Sequence, residues 1–280
     1  MKSWIAPHLT GGLGNRLFQL ASAIGLAEKW DRTPVFFLPR CGATNHGPFE
    51  TIFTMFPSLP ILETADAWEE FHEPKGHVFT YTEFPLEPTT DKNIVIKGWR
   101  QSPLYFPKAP LGAHLTECIK QERWQSLLKK YNVETVEDKE KTVFLHIRLG
   151  DYKILPHHQV NLQHYYITCL SKIPQGSRIF FFSDEPHLVK EVMAQLVQAL
   201  GHSFLVCEEE DELESLALMS QCWRGAITAN STFSWWGAYF AHEKTSHPES
   251  FLGFFPSNWG QGLPAAKDVV PAWGQRISVE

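Results

Sequence analysis

A chain of 280 residues with 43% hydrophobic and 20% charged residues can bury one large core or two ordinary ones, which excludes a disordered or fibrous protein. A formal net charge of −6 with no Lys/Arg cluster argues against a nucleic-acid or anionic-membrane partner, and no apolar run reaches the ~18 residues of a membrane span. The five cysteines, Cys41, Cys118, Cys169, Cys207 and Cys222, show no metal or redox spacing, and residues 1–10 lack a secretory apolar core, so a reducing, cytoplasmic setting is expected.

Trp4 to Leu9 reads as a strand, and Thr10-Gly-Gly-Leu-Gly-Asn-Arg16 as a glycine turn into a helix over Leu17 to Trp30. Glycines let backbone amides and a helix N-terminus approach an anion or a sugar, with Asn15 and Arg16 adding side-chain contacts; a plain turn is the competing reading. The dinucleotide fingerprint fails, because Leu17 stands at the third glycine's place after Gly12 and Gly14, and the strand Pro34 to Leu38 ends in Pro39-Arg40 without an acidic residue. Residues 39–90 are rich in proline and aromatics around a short alternation, His77 to Thr82, and Trp68, Phe71, Phe79 and Tyr81 read as core filler rather than sugar-stacking walls. A strand Asn93 to Lys97 and a helical pattern over Leu111 to Tyr131 follow. The mixed-charge stretch Glu134 to Lys141 reads as a linker, giving domains at 1–136 and 137–280.

The chain is organised around Val143-Phe-Leu-His-Ile-Arg-Leu-Gly-Asp-Tyr152, a strand leading into a tight loop. Val143, Leu145 and Ile147 share one face and His146 and Arg148 the other, while Gly150 turns Asp151 to the same rim. Ligands of open parallel sheets bind beyond the carboxyl ends of the strands, so an imidazole, a guanidinium and a carboxylate converge where a ligand belongs. The competing reading is a buried histidine beside an Arg148–Asp151 pair.

Thereafter helices near Leu162–Ile173, Pro186–Leu200, Asp211–Cys222 and from Thr232 alternate with strands at Arg178–Phe182, Ser203–Cys207 and Gly225–Ala229, which predicts a parallel sheet covered by helices. At one strand end, helix capping accounts for one of Asp184 and Glu185 and leaves the other for a purine edge or a ribose hydroxyl. At the next, Asn230-Ser-Thr-Phe-Ser234 crowds a helix N-terminus with hydroxyls, an arrangement suited to a diphosphate without a metal. Gly237 is expected to permit close helix–sheet packing. The acidic run Glu208 to Glu212 lacks an Asp-x-Asp arrangement and reads as the start of a solvated helix, so no metal site is expected.

The segments GGLGNRLFQLA, HIRLGDY, FFSDEP and ANSTFSWWGA, in this order, resemble the glycosyltransferase family that contains α-1,2-fucosyltransferases. The resemblance implies a GT-B fold, two Rossmann-like α/β domains facing across a cleft, with the acceptor on the first and the nucleotide sugar on the second. It implies an inverting, metal-independent enzyme that needs no cofactor and moves L-fucose from GDP-fucose to a glycan hydroxyl. The alternatives are another donor, such as UDP-xylose or UDP-galactose, or a non-catalytic nucleotide- or sugar-binding protein. By position, Arg148 resembles the diphosphate-binding arginine, His146 and Asp184 or Glu185 the nucleotide contacts, and Ser231 to Ser234 the phosphate-binding helix start. Asp151 is the candidate base, with an orienting role toward Arg148 as its alternative. The expected donor-binding set is Gly12, Gly14, Asn15, Arg16, His146, Asp184, Glu185, Asn230, Ser231, Thr232, Phe233 and Ser234. Leu149 stands where the family usually has a second arginine.

Overall fold

The first strand, β1 (Trp4–Pro7), is followed by α1 (Leu13–Lys29), whose apolar residues recur at helical spacing and are buried along most of its length. The computed structural model describes residues 3–42, 49–65, 67–75, 78–84, 92–208, 211–262 and 266–280. After α1 come β2 (Thr33–Pro34), β3 (Phe36–Phe37), α2 (Glu50–Met55), β4 (Ile61–Leu62), β5 (Trp68–His72) and β6 (Asn93–Lys97). Four of these strands form a parallel sheet in the order β2-β1-β6-β5, and β3 pairs with β4 beside it. Of the four aromatics read as core filler, Phe79 is buried and Trp68, Phe71 and Tyr81 are half-buried. Trp68 stands on β5 with its ring 5.1 Å from that of Phe37. The alternation at 77–82 falls partly outside the described residues, and its described part forms turns rather than a strand.

The chain continues through α3 (Gln121–Lys130), α4 (Val136–Glu140), β7 (Thr142–Ile147), α5 (Gln163–Ser171), β8 (Arg178–Ser183), α6 (Pro186–Ala199) and β9 (Ser203–Val206). It ends with α7 (Glu212–Met219), β10 (Gly225–Ile227), α8 (Thr232–Lys244), β11 (Leu252–Pro256) and β12 (Gln275–Ile277). The six strands form one parallel sheet in the order β12-β11-β10-β7-β8-β9, so β7 lies in its interior. Val143, Leu145 and Ile147 join Ile179, Phe181, Ile227 and Phe254 in a core beneath α5 and α6, which is the face their period of two assigned. The opposite face carries Phe144 against Phe182, ring centroids 6.2 Å apart. α8 is buried on nearly all sides. Its Gly237 faces Met219 of α7, where a Cβ would stand 2.5 Å from the sulfur, so the close packing it permits is helix on helix rather than helix on sheet.

The chain divides into two compact units, Met1–His114 with Pro264–Pro271, and Leu115–Leu263 with Ala272–Glu280. The division falls ahead of the seam read at residue 136. Tyr131 packs its ring 5.8 Å from that of Phe180, Asn132 O accepts from Arg178, and Arg123 makes a two-pronged pair with Glu214, which ties residues 115–136 to the second unit. The stretch read as a linker holds the short helix α4 instead, because Thr135 Oγ1 accepts the Asp138 N–H and caps it.

Candidate functional site

β7, β8 and β10 are neighbours in the second sheet, with His146 opposite Phe182, Ile147 opposite Ser183, and Leu145 opposite Ile227. Their carboxyl ends therefore open side by side, and the chain leaves them as Arg148–Asp151, Asp184–Glu185 and Asn230–Ser234. Sequence reasoning could foresee three polar strand ends; the pairing order is what makes them one rim.

Arg148 is the hub. Its Nε and Nη2 donate to Asp151 Oδ1 at 3.1 and 2.6 Å, and its Nη1 lies 3.2 Å from Asp184 Oδ2. Partial burial alone would depress the guanidinium pKa, but Asp184 and Asp151 outweigh it and raise the value. Two of the five N–H groups of the fork are thus hydrogen-bonded to Asp151, while Nη1 is held near Asp184 by charge. Asp151, expected as a proton acceptor, commits Oδ1 to Arg148 and keeps Oδ2. Asp184 also accepts the Leu149 N–H at 2.9 Å through Oδ1, and Gly150 is what lets it come so close, since a Cβ there would stand 2.3 Å from Asp184 Oδ2.

The capping expectation for this pair is corrected: neither side chain caps α6. Ser183 Oγ accepts the Glu185 N–H, while the Glu185 carboxylate pairs with Lys153. Asp184 is drawn away by Arg148, a stronger partner than a helix amide.

His146 is buried beside this hub, its ring 6.1 Å from that of Phe233 and its Nδ1 without a hydrogen-bond partner. Desolvation, with Arg148 adding to it, pushes its pKa down to about 3, so the imidazole is neutral at any ordinary pH. Tyr152, which the candidate set lacked, joins Arg148 to the start of α8. Its ring lies 5.6 Å from the guanidinium carbon and stacks on His158 at 4.3 Å, and its hydroxyl donates to Asn230 O and bonds Ser231. Burial raises that phenol to about 12. The signal was present, a tyrosine closing the HIRLGDY segment, but nothing local tied it to residue 230.

The hydroxyl cluster is only partly at the disposal of a ligand. Asn230 spends its amide on His158 O and Trp259 O, and buried Ser234 Oγ donates to Ser231 O while accepting the Ala229 N–H. These two build the turn. Ser231 precedes the helix with no side-chain cap, and Thr232 and Phe233 are half-buried at its first turn.

The glycine turn lies in the first unit. α1 begins at Leu13, so Gly14 is already in its first turn and Gly12 precedes it with extended backbone. The glycine that the turn requires is Gly11, at φ 77°. Asn15 Oδ1 accepts from Gln101 Nε2 at 2.8 Å. Arg16 is wholly buried with its guanidinium 4.4 Å above the Phe49 ring, so it offers a ligand no exposed surface, contrary to the contact expected of it. Among the described residues no cluster of three or more His, Cys, Asp or Glu is arranged to hold a metal ion, and no helix is long and apolar enough to cross a membrane.

A parallel α/β sheet with an anchored arginine at its carboxyl rim and a buried helix start beside it is the arrangement at which open α/β sheets bind ligands. The chain belongs to glycosyl transferase family 11, whose profile matches residues 66–247, and it is therefore a glycosyltransferase. It is 31% identical over 141 residues to the O-antigen biosynthesis glycosyltransferase WbnK of Escherichia coli, a match that spans 47% of this chain and 43% of that protein. It is 24% identical over 280 residues to an alpha-1,2-colitosyltransferase of Escherichia coli, spanning 85% and 87%. The crystal structure of POFUT1 in complex with GDP shares the GT-B fold, with a TM-score of 0.52 at 14% identity, over 91% of this chain and 98% of that one.

Proposed function

We propose that this chain transfers L-fucose from GDP-fucose to a hydroxyl of a glycan acceptor, with inversion and without a metal ion. The observation that carries the reading is Arg148, fixed by two carboxylates at the rim of β7 and joined through Tyr152 to the start of α8. Two further points support it: POFUT1 was solved with GDP, and the relative named for colitose transfer handles a sugar that is L-fucose without its 3-hydroxyl.

In this reading the acceptor hydroxyl attacks the anomeric carbon from the face opposite the leaving nucleoside diphosphate, whose bond to that carbon breaks as the hydroxyl proton passes to a carboxylate or to water. Negative charge grows on the β-phosphate, and the guanidinium of Arg148 and the first turn of α8 meet it, already oriented. Asp151 and Asp184 hold the fork at a fixed angle. Neutral His146 adds no competing charge beside the fork.

The test is Arg148→Lys, assayed for GDP binding by calorimetry and for transfer with GDP-fucose, GDP-colitose and UDP-sugars. Lysine keeps the charge but not the fork, so transfer should fall by about two orders of magnitude, more than GDP affinity does, while the parent enzyme works fully in EDTA. A folded Arg148→Lys enzyme with parental rates sinks the reading, and a requirement for manganese sinks its metal-free part.

A further inference from the structure

We propose that the first unit holds a binding site for an oxyanion of the acceptor, a carboxylate or phosphate group, built from Arg40, Lys97, His8 and His72 around the carboxylate of Glu70; this rests on the glycosyltransferase reading and names the chemical class of acceptor it takes. The register of the first sheet assembles the site. Pro7 pairs with Ile96 and Lys97 with His72, and the His8 N–H donates to Ile96 O at 2.8 Å, so the ends of β1, β6 and β5 set His8, Lys97 and His72 in a row. By the period of two they continue the face on which Ala6, Val95 and Trp68 pack with Phe37, and Glu70 shares that face. Arg40 joins from the neighbouring segment, where its carbonyl accepts the Leu9 N–H at 3.0 Å. The row stands at the carboxyl end of a parallel sheet, where ligands of such sheets bind.

Positive charge here exceeds what Glu70 can balance. Its Oε1 stands 2.5 Å from Arg40 Nη2, and its Oε2 is shared by Lys97 Nζ at 2.7 Å and His72 Nε2 at 3.6 Å. One carboxylate therefore faces two permanent cations and an imidazole, and among the described residues neither Arg40 nor Lys97 has a second acidic partner. The surplus registers at His8. Burial pushes its pKa below the ordinary value, and Lys97 and Arg40 push it further, outweighing the opposite pull of Glu70. Two polar atoms are also enclosed without a hydrogen-bond partner, Arg40 Nε and His8 Nδ1. A structural ion pair balances its charges and uses its donors, whereas a positive surplus with an enclosed, unused guanidinium N–H is what a bound oxyanion completes. The chain as a whole carries −6, so the surplus is local. The side chains of Arg40, Lys97 and His72 are 30%, 25% and 64% exposed, which leaves the site open to solvent.

The experiment is calorimetry at low ionic strength with methyl glucuronide, its neutral methyl ester and glucose 1-phosphate, on nucleotide-free and GDP-saturated protein. Urea unfolding and GDP affinity are recorded for every variant. The anions should bind the parent, and the ester should bind at least about tenfold more weakly than its acid. The tighter of the two anions names the group, a sugar carboxylate or a phosphate. Arg40→Gln and Lys97→Gln should each weaken anion binding about tenfold, whereas Glu70→Gln, which removes the competing carboxylate, should tighten it. A merely structural ion-pair cluster gives no such opposite response. GDP affinity should stay at the parental value throughout. An ester that binds the parent as its acid does overturns the proposal without need of a variant. Anion binding that folded Arg40→Gln and Lys97→Gln proteins retain in full, or that GDP displaces, belongs elsewhere and overturns it too. Anion binding that depends on Lys97 in a protein that binds no GDP-sugar would uphold the site while removing the donor assignment.

Discussion

Replacing Gly150 by alanine tests the geometry of the arginine hub. The new Cβ would lie 2.3 Å from Asp184 Oδ2 and 3.4 Å from its Cγ, so the carboxylate must withdraw. In doing so it gives up the Leu149 N–H at 2.9 Å and the Arg148 pair at 3.2 Å. A hydrogen bond to a charged group is worth about 1.5–3 kcal/mol net, whereas the ion pair, with side chains 31% and 22% exposed, adds less than about 1 kcal/mol after screening. The expected loss is about 2–3 kcal/mol, shared between stability and nucleoside diphosphate affinity. The assay is a double-mutant cycle, with urea unfolding and GDP calorimetry on Gly150→Ala, Asp184→Ala and both together. Because the clash and the lost bonds all run through one carboxylate, the double variant should cost about 2 kcal/mol less than the two single costs combined. Strictly additive costs, or a Gly150→Ala protein indistinguishable from the parent, would refute the reasoning.

Asp151→Asn should weaken GDP binding and transfer in step, because the side chain that orients Arg148 loses its charge; a rate loss of about two to four orders with GDP affinity intact would make Asp151 the general base instead. His146 is held near 3 against an ordinary 6.5, so the folded state stays neutral while the unfolded chain takes a proton below 6.5. Its contribution to stability is therefore full above pH 6.5 and is lost as pH falls toward 3, by up to about 1.4 kcal/mol per unit, and urea midpoints of His146→Gln should fall less steeply over that window than those of the parent. Parallel curves would show that His146 is not the group responsible. Gly237→Ala forces Met219 aside and should cost about 1–3 kcal/mol in unfolding free energy, with Met219→Ala restoring tolerance at that position.

From residue 142 to 244 the element order was legible in the sequence alone, because each element carries its own period. Val143, Leu145 and Ile147 alternate, Pro186 opens a helix, and Thr232 to Lys244 follows a polar helix start. The rim residues were legible too, since ligands of parallel sheets lie at the carboxyl ends of strands and the polar residues stand there. The sequence could not separate the roles within that rim. Whether Asp184 or Glu185 meets Arg148 depends on strands 35 residues apart lying in register, and whether Arg16 faces a ligand or lies against Phe49 depends on packing across 33 residues of chain. The strands β5, β11 and β12 escaped reading for the same cause: at three to five residues they have little period of their own and exist because a neighbour completes their hydrogen bonds. Trp99 shows the limit most plainly. In the sequence it is a tryptophan after a strand; only the sheet brings Glu73 beside it, where the carboxylate accepts the backbone N–H groups of Trp99 and Arg100.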